Sequence, residues 1–193
     1  MPEGTVHSPV AATGAPEGRA LRIEDRSPWP RAALSGAESV RWLITARATL
    51  PNAHSCAIQQ DGSLLVRLSP TEFLALGQPG IANPGGLASF AFDGSNEPGV
   101  CPIPSFAATV WFVVTGVRAA EMMAKICGID LAPKAFANHR AARTIVARTS
   151  ATVIRDDEGE QLRFHLLADW TLGAYLWDVL EEAAREFNAN LPP

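Results

Sequence analysis

The stretch Thr109 to Leu131, TVWFVVTGVRAAEMMAKICGIDL, decides how the rest of the chain is read. Its first seven residues are almost continuously apolar and rich in Val and aromatics, the pattern of a strand covered on both faces. Gly116 turns the chain, and Arg118 to Cys127 then has helical spacing, with Ala119, Met122, Met123, Ile126 and Cys127 recurring on one face. Arg118, Glu121 and Lys125 take the other face, with Glu121 four residues ahead of Lys125 in the favourable order. Gly128 stands where a left-handed cap would end the helix. A buried strand, a glycine turn and a helix folding back on it form a core-building unit. Nothing in it is chemically reactive.

Downstream of this unit, Thr144 to Arg148 and Ala151 to Arg155 read as strands. Asp156-Asp157-Glu158-Gly159 then makes the turn of a hairpin whose return strand is Gln161 to Leu167. Leu162, Phe164 and Leu166 point one way from that strand, and Gln161, Arg163 and His165 the other. Asp169 is a good N-cap for a final helix. The helix carries the apolar stripe Leu172, Leu176, Leu180, Ala183 and Phe187, opposed by Asp178, Glu181, Glu182 and Arg185.

Upstream, Ser35 with Glu38 three residues later predicts a capping box ahead of a helix to about Arg47, with Val40, Leu43 and Ile44 as its apolar face. Leu50-Pro51-Asn52 ends that segment. Ser55 to Gln60 and Ser63 to Leu68 flank Asp61-Gly62, a strong hairpin signal, and Phe73 to Gly77 predicts a short further strand. Residues 78–105 are punctuated by Gly and Pro. Their Gly85-Gly86 pair lacks the spacing and flanking elements of a phosphate loop. Residues 1–34 are rich in Pro, Gly and Ala, and only Arg19 to Arg26, with Leu21 and Ile23 alternating, looks strand-like. This arm is either disordered or docked through Trp29, since a large ring between two prolines needs something to pack on.

Each half offers a helix followed by a β-hairpin, and the second adds a strand before and a helix after. The expected fold class is α+β, with two related helix/β-hairpin halves around antiparallel sheet. The expected organisation is an extended arm over 1–34 and a single domain over 35–193, in halves 35–105 and 106–193.

Composition narrows the function. The net charge of −4, from 16 basic and 20 acidic residues with no long single-sign run, argues against nucleic acid or an anionic membrane as partner. The apolar runs fall short of the roughly 18–20 residues of a membrane span, and no signal-peptide pattern opens the chain. Cys56, Cys101 and Cys127 are odd in number and widely spaced, so no disulfide framework or CxxC metal site is indicated. The expected location is cytoplasmic.

The four histidines His7, His54, His139 and His165 show no metal-ligand spacing to Cys, Asp or Glu, and read as solvated or interface residues. No G-x-S-x-G elbow is present. Cys127 falls on an apolar helix face and reads as core. Asp156, Asp157, Glu158 and Glu160 lack the alternation of a calcium loop and read as a solvated hairpin tip. No residue is therefore assigned as catalytic, cofactor-binding or metal-ligating.

Taken in order, several pieces resemble the gamma subunit family of heterotetrameric sarcosine oxidase, which is related to the folate-binding fold of the glycine-cleavage aminomethyltransferase. Ser8-Pro9-Val10-Ala11 is similar to the SPLA-like start of those subunits. Leu50-Pro51-Asn52 resembles their LP-x-x-N segment, with the Asn sooner. Leu68-Ser69-Pro70-Thr71-Glu72-Phe73-Leu74 resembles W-L-G-P-D-E-W-L, with Ser69 in place of Gly. Gly116, Ala119 and Cys127-Gly128-Ile129-Asp130-Leu131 resemble G-P-x-A…C-x-x-D-L, and Leu176-Trp177-Asp178-Val179-Leu180 the closing helix. Ile103-Pro104-Ser105 stands where many relatives have Asp-Val-Ser, and no folate site transfers to this chain.

The resemblance implies a non-catalytic accessory subunit of a flavin-dependent enzyme that oxidises sarcosine or a similar N-methylated amino acid. Such a subunit braces a large (alpha-type) subunit, with beta- and delta-type subunits in the same complex. It also implies that FAD, FMN, NAD, zinc and tetrahydrofolate belong to the partner subunits, and none to this chain. A free-standing folate-dependent aminomethyltransferase is the rival reading, and a generic scaffold protein the third.

Overall fold

The computed structural model describes residue 8 and residues 21–79, 98–103 and 108–188. The chain divides into two compact units, one formed by the described residues of Met1–Pro28 and Thr109–Pro193, the other by those of Trp29–Ala108. Each contains one five-stranded antiparallel sheet.

In the first unit, β1 (Arg22–Asp25) pairs with β7 (Thr109–Thr115), Arg22 opposite Thr115. On its other side β7 pairs with β10 (Arg163–Asp169). The sheet continues through β9 (Thr149–Arg155) to β8 (Ala141–Val146). Residues 110–115 are all buried, as a continuous apolar run demands, because both faces of β7 are covered. Val110, Phe112 and Val114 face a core closed by α2 (Ala119–Met123) and α3 (Gly173–Asn188). The predicted stripe of α3 supplies Leu176, Leu180, Ala183 and Phe187 to that core, and Trp177 meets Phe112 edge-on at 5.3 Å. Asp169 caps the single 3-10 turn Trp170–Leu172 that leads into α3, accepting from the Thr171 N–H at 2.8 Å. At the far end of α3, the Asn188 amide holds both backbone groups of Leu21, fixing the start of β1.

The second unit has the order β3 (Ser55–Ile58), β4 (Leu64–Arg67), β5 (Glu72–Leu76), β2 (Arg31–Ser35) and β6 (Cys101–Pro102). One face packs Leu34, Leu65 and Phe73 against Leu43 of α1 (Ser39–Thr45). The Asp61-Gly62 hairpin forms as expected. Gly62 has φ +76, and the Asp61 carboxylate accepts from both the N–H and the hydroxyl of Ser63.

The two sheets share one topology. In each, a strand ends at a glycine of positive φ, Gly36 at +135° and Gly116 at +152°, and a short helix follows. The next three strands then return beside the first, in the orders β2-β5-β4-β3 and β7-β10-β9-β8. The rhyme read in the sequence as helix plus hairpin is thus a longer repeat of strand, glycine, helix and three-stranded meander. The fifth strands are exchanged: β1 lies just ahead of β2 in the chain yet pairs with β7, and β6 lies just ahead of β7 yet pairs with β2.

Several local expectations are corrected. Residues 21–34, read as part of an arm, hold β1 and most of β2. β2 was masked in sequence by its alanines, which carry no strand preference. The Ser35–Glu38 capping box does not form: Ser35 ends β2 opposite Glu72, and the Glu38 N–H donates to the Gly99 carbonyl at 3.1 Å. Glu121 pairs with Arg118 at 2.7 Å, while Lys125 reaches Glu186 at 3.1 Å. α2 stops at Met123 because the chain tightens there and Cys127 bridges to Val146, which leaves the Gly128 N–H on the Ile145 carbonyl with no left-handed cap. β8 and β9 meet in a two-residue turn at Ala147 and Arg148, both in left-handed backbone (φ +48 and +66), where neither residue type signals it.

Candidate functional site

The first unit's sheet carries its polar chemistry on the face opposite the helices. Alternation along β7 and β10 puts Trp111, Arg163 and His165 there, and the β9–β10 connection adds Asp156. Trp111 is 1%, His165 3% and Asp156 4% exposed. The indole N–H of Trp111 donates to His165 Nδ1 at 3.1 Å. An accepting Nδ1 leaves the imidazole proton on Nε2, which lies 3.8 Å from Asp156 Oδ2, an electrostatic contact longer than a hydrogen bond. Arg163 Nη2 donates to that same Oδ2 at 2.5 Å, and His139 Nδ1 lies 3.6 Å from Oδ1.

Neighbouring groups fix this constellation. The Trp111 N–H donates to Ser27 Oγ at 3.0 Å, and its carbonyl accepts from the Arg26 N–H at 2.7 Å. The Ser8 hydroxyl donates to Asp25, and Asp25 in turn accepts from the Ser27 N–H. Arg155 forms a two-pronged pair with Asp157 at 2.9 and 2.6 Å, and its remaining nitrogen donates to the Phe136 carbonyl at 2.6 Å.

Burial disfavours ionisation of Asp156, but His165 and the hydrogen-bonded Arg163 guanidinium outweigh it and hold the carboxyl below its ordinary range. For His165, burial comes first and depresses the pKa below the ordinary value. The Asp156 carboxylate opposes this, while Arg26 and Arg163 add to it. The constellation therefore rests as a neutral imidazole beside an ionised carboxylate.

The sequence reading of these residues is revised accordingly. His165 is buried in a hydrogen bond rather than solvated, and Asp156 and Asp157 leave the hairpin tip to pair with arginines, so that only Glu158 and Glu160 are exposed. Cys127 is half-buried at the edge of the core. His139 and His54 sit in turns with φ +63 and +57. His7, Gly85-Gly86, Pro9-Val10-Ala11 and Pro104-Ser105 lie outside the described residues. Alternation already places Arg163 and His165 on one face of β10; the signal not used is that its neighbour β7 is apolar almost throughout, so that this second face is covered as well. Among the described residues, no group of three or more His, Cys, Asp and Glu side chains is placed to hold a metal ion.

The second unit offers a different feature. An open cavity of about 630 Å³ runs along one face of α1, lined by Glu38, Arg41, Trp42, Thr45 and Ala46 and closed by Pro98 and Val100.

Among solved structures, a chain of the heterotetrameric sarcosine oxidase from Corynebacterium sp. U-96, in complex with pyrrole 2-carboxylate, superposes with a TM-score of 0.70. The match covers 93% of this chain and 91% of that one, at 22% identity. The chain has that fold. It is shared with glycine cleavage system aminomethyltransferase T from Bartonella henselae, at a TM-score of 0.59 and 16% identity, covering 86% of this chain and 49% of that one. No protein-family model and no curated protein matches the sequence. The fold expectation, α+β halves similar to the aminomethyltransferase domain, is borne out. No helix among the described residues is long and apolar enough to cross a membrane.

Proposed function

We propose that the chain is a non-catalytic, gamma-type accessory subunit of a heterotetrameric flavin-dependent amine oxidase or dehydrogenase acting on sarcosine or a similar N-methylated amino acid. The observation that carries this reading is the span of the match. It runs nearly end to end over a whole chain of an enzyme described as heterotetrameric, so the two chains are of nearly equal length. The aminomethyltransferase likeness covers only about half of that longer chain.

On this reading the chain works in the cytoplasm by burying surface on a large alpha-type subunit and fixing its geometry, with beta- and delta-type subunits completing the complex. Permanent interfaces of this kind bury roughly 2,000–5,000 Å². FAD, FMN, NAD, zinc and tetrahydrofolate belong to the partners. Co-expression with neighbouring genes, followed by a tagged pull-down, tests the proposal. The chain should elute in fixed stoichiometry with a large flavoprotein subunit, whose unfolding temperature should fall when the chain is left out. The reading fails if the chain elutes alone and the large subunit keeps its stability and activity without it. The rival, a free-standing folate-dependent aminomethyltransferase, gains support if the purified chain alone releases ammonia from an aminomethyl donor in the presence of tetrahydrofolate.

A further inference from the structure

We propose that Trp111, His165 and Asp156 form an acid-sensitive latch between β7 and β10, in which the imidazole exchanges its bond to the indole for one to the carboxylate when it takes up a proton. The inference stands on the geometry of the first unit and is independent of the accessory-subunit reading.

The neutral state is defined by the 3.1 Å bond from the Trp111 indole N–H to His165 Nδ1. An imidazolium carries protons on both nitrogens, so an N–H of His165 would then face the N–H of Trp111, two donors with no acceptor between them. At 3% exposure the ring has no bulk water to relieve that opposition. Protonation therefore breaks the indole contact.

The alternative partner is already in place. His165 Nε2 has no hydrogen bond, and Asp156 Oδ1 has none either, although both are buried. Nε2 stands 3.8 Å from Asp156 Oδ2, so a ring shift of about 1 Å brings it within the 2.7–3.2 Å of a charge-assisted bond. The ring thus has two discrete arrangements, held by Trp111 when neutral and by Asp156 when charged. Protonation selects between them.

Burial of the ring sets the direction, and the charged surroundings pull both ways. Asp156, from the β9–β10 connection, favours the imidazolium. Arg163 on β10 and Arg26 after β1 oppose it, and His139, ahead of β8, faces the other oxygen of the Asp156 carboxylate at 3.6 Å. Burial adds to the opposition and keeps His165 neutral until the pH falls below the ordinary histidine range.

The test is a pH titration of the isotope-labelled full chain by NMR, from pH 8 downward. It follows the Trp111 indole N–H, assigned through Trp111→Phe, together with the His165 ring nitrogens. The expected result is a single shared midpoint, at which the indole resonance loses its hydrogen-bonded shift and His165 Nδ1 changes from acceptor to protonated. His165→Asn, whose carbonyl can occupy the Nδ1 position but cannot titrate, should abolish the indole step. Asp156→Asn should lower the midpoint by about one pH unit or more, because the charge that favours the imidazolium is gone. The latch is refuted if the indole step survives in His165→Asn, if Asp156→Asn leaves the midpoint where it was, or if the chain unfolds globally before His165 titrates. If His165→Asn fails to fold, the Asp156→Asn midpoint alone decides.

Discussion

Replacing Gly36 by Ala should unfold the second unit far more readily than its modest chemistry suggests. A Cβ built on Gly36 would lie 2.1 Å from the Gly99 carbonyl oxygen, 2.9 Å from its carbon and 3.2 Å from Val100 Cα, all backbone atoms. That carbonyl cannot retreat freely, because it accepts from the Glu38 N–H at the start of α1. Nor can Gly36 move away, since its own N–H donates to the Thr71 carbonyl at 3.2 Å. Its φ of +135° lies in a region that side chains rarely adopt, a strain of about 1–3 kcal/mol. Overpacking against fixed atoms adds about 1–3 kcal/mol more, for a combined loss of about 2–6 kcal/mol. With a urea slope of about 2 kcal/mol/M, the midpoint should fall by roughly 1–3 M.

Gly159→Ala is the internal control. Its φ is +62 and nothing lies within 4 Å of the added Cβ, so only the left-handed backbone penalises it. The expected loss is about 1 kcal/mol, or roughly 0.5 M in midpoint. Urea unfolding followed by hydrogen exchange at β2 and α1 would compare the two. If Gly36→Ala shifts the midpoint no more than Gly159→Ala does, the crossing of residues 98–100 over Gly36 does not constrain the fold as described.

Three further outcomes follow from particular contacts. Arg148→Gly should stabilise the chain by up to about 1 kcal/mol in thermal or urea unfolding, because Arg148 is exposed and its φ of +66 suits glycine. Arg155→Met should destabilise by about 3 kcal/mol, since it strands the Asp157 carboxylate and the Phe136 carbonyl; Asp157→Asn on the same background should recover part of the loss. The depressed pKa of His165 makes the unfolded chain bind the extra proton, so its contribution is intact above about pH 6.5 and declines as pH falls, by up to about 1.4 kcal/mol per pH unit. Asp156, also depressed, adds a second loss below about pH 4, and stability curves of wild type and His165→Asn should converge in acid.

The strongest local signals in the sequence were also the most faithful ones. β7, the α3 stripe, the Asp61-Gly62 hairpin and the Asp169 cap were legible because a few neighbouring residues determine each of them. β2 was not, because its strand character comes from pairing with β5 and β6, and its own alanines are indifferent. The false capping box at Ser35 shows the same limit: the carbonyl that takes the Glu38 N–H belongs to Gly99, far along the chain. Ala147 and Arg148 adopt left-handed backbone without glycine or asparagine because other elements hold the turn. The Ala147 N–H donates to the Ile126 carbonyl and its own carbonyl accepts from the Tyr175 hydroxyl. Of the polar constellation, alternation placed Arg163 and His165 together, yet their burial depends on Trp111 and Asp156, which the linear pattern assigned to a core strand and a turn.

The exchange of fifth strands gives synthesis of the chain a direction. As the chain leaves the ribosome, β6 emerges soon after β2 to β5 and can complete the second unit's sheet at once. β1 is made before any of them, but its partner is β7, and Arg22 meets Thr115 only after the whole second unit has been translated. At about 5–20 residues per second, that leaves β1 without its strand for roughly 5–20 s. Throughout this interval Leu21 and Ile23, which end up in the first unit's core, remain uncovered on a strand with an open edge. In the interval after β6 has emerged and before β7 follows, the nascent chain would therefore carry the second unit's strands all paired and an apolar N-terminal strand still waiting for its partner.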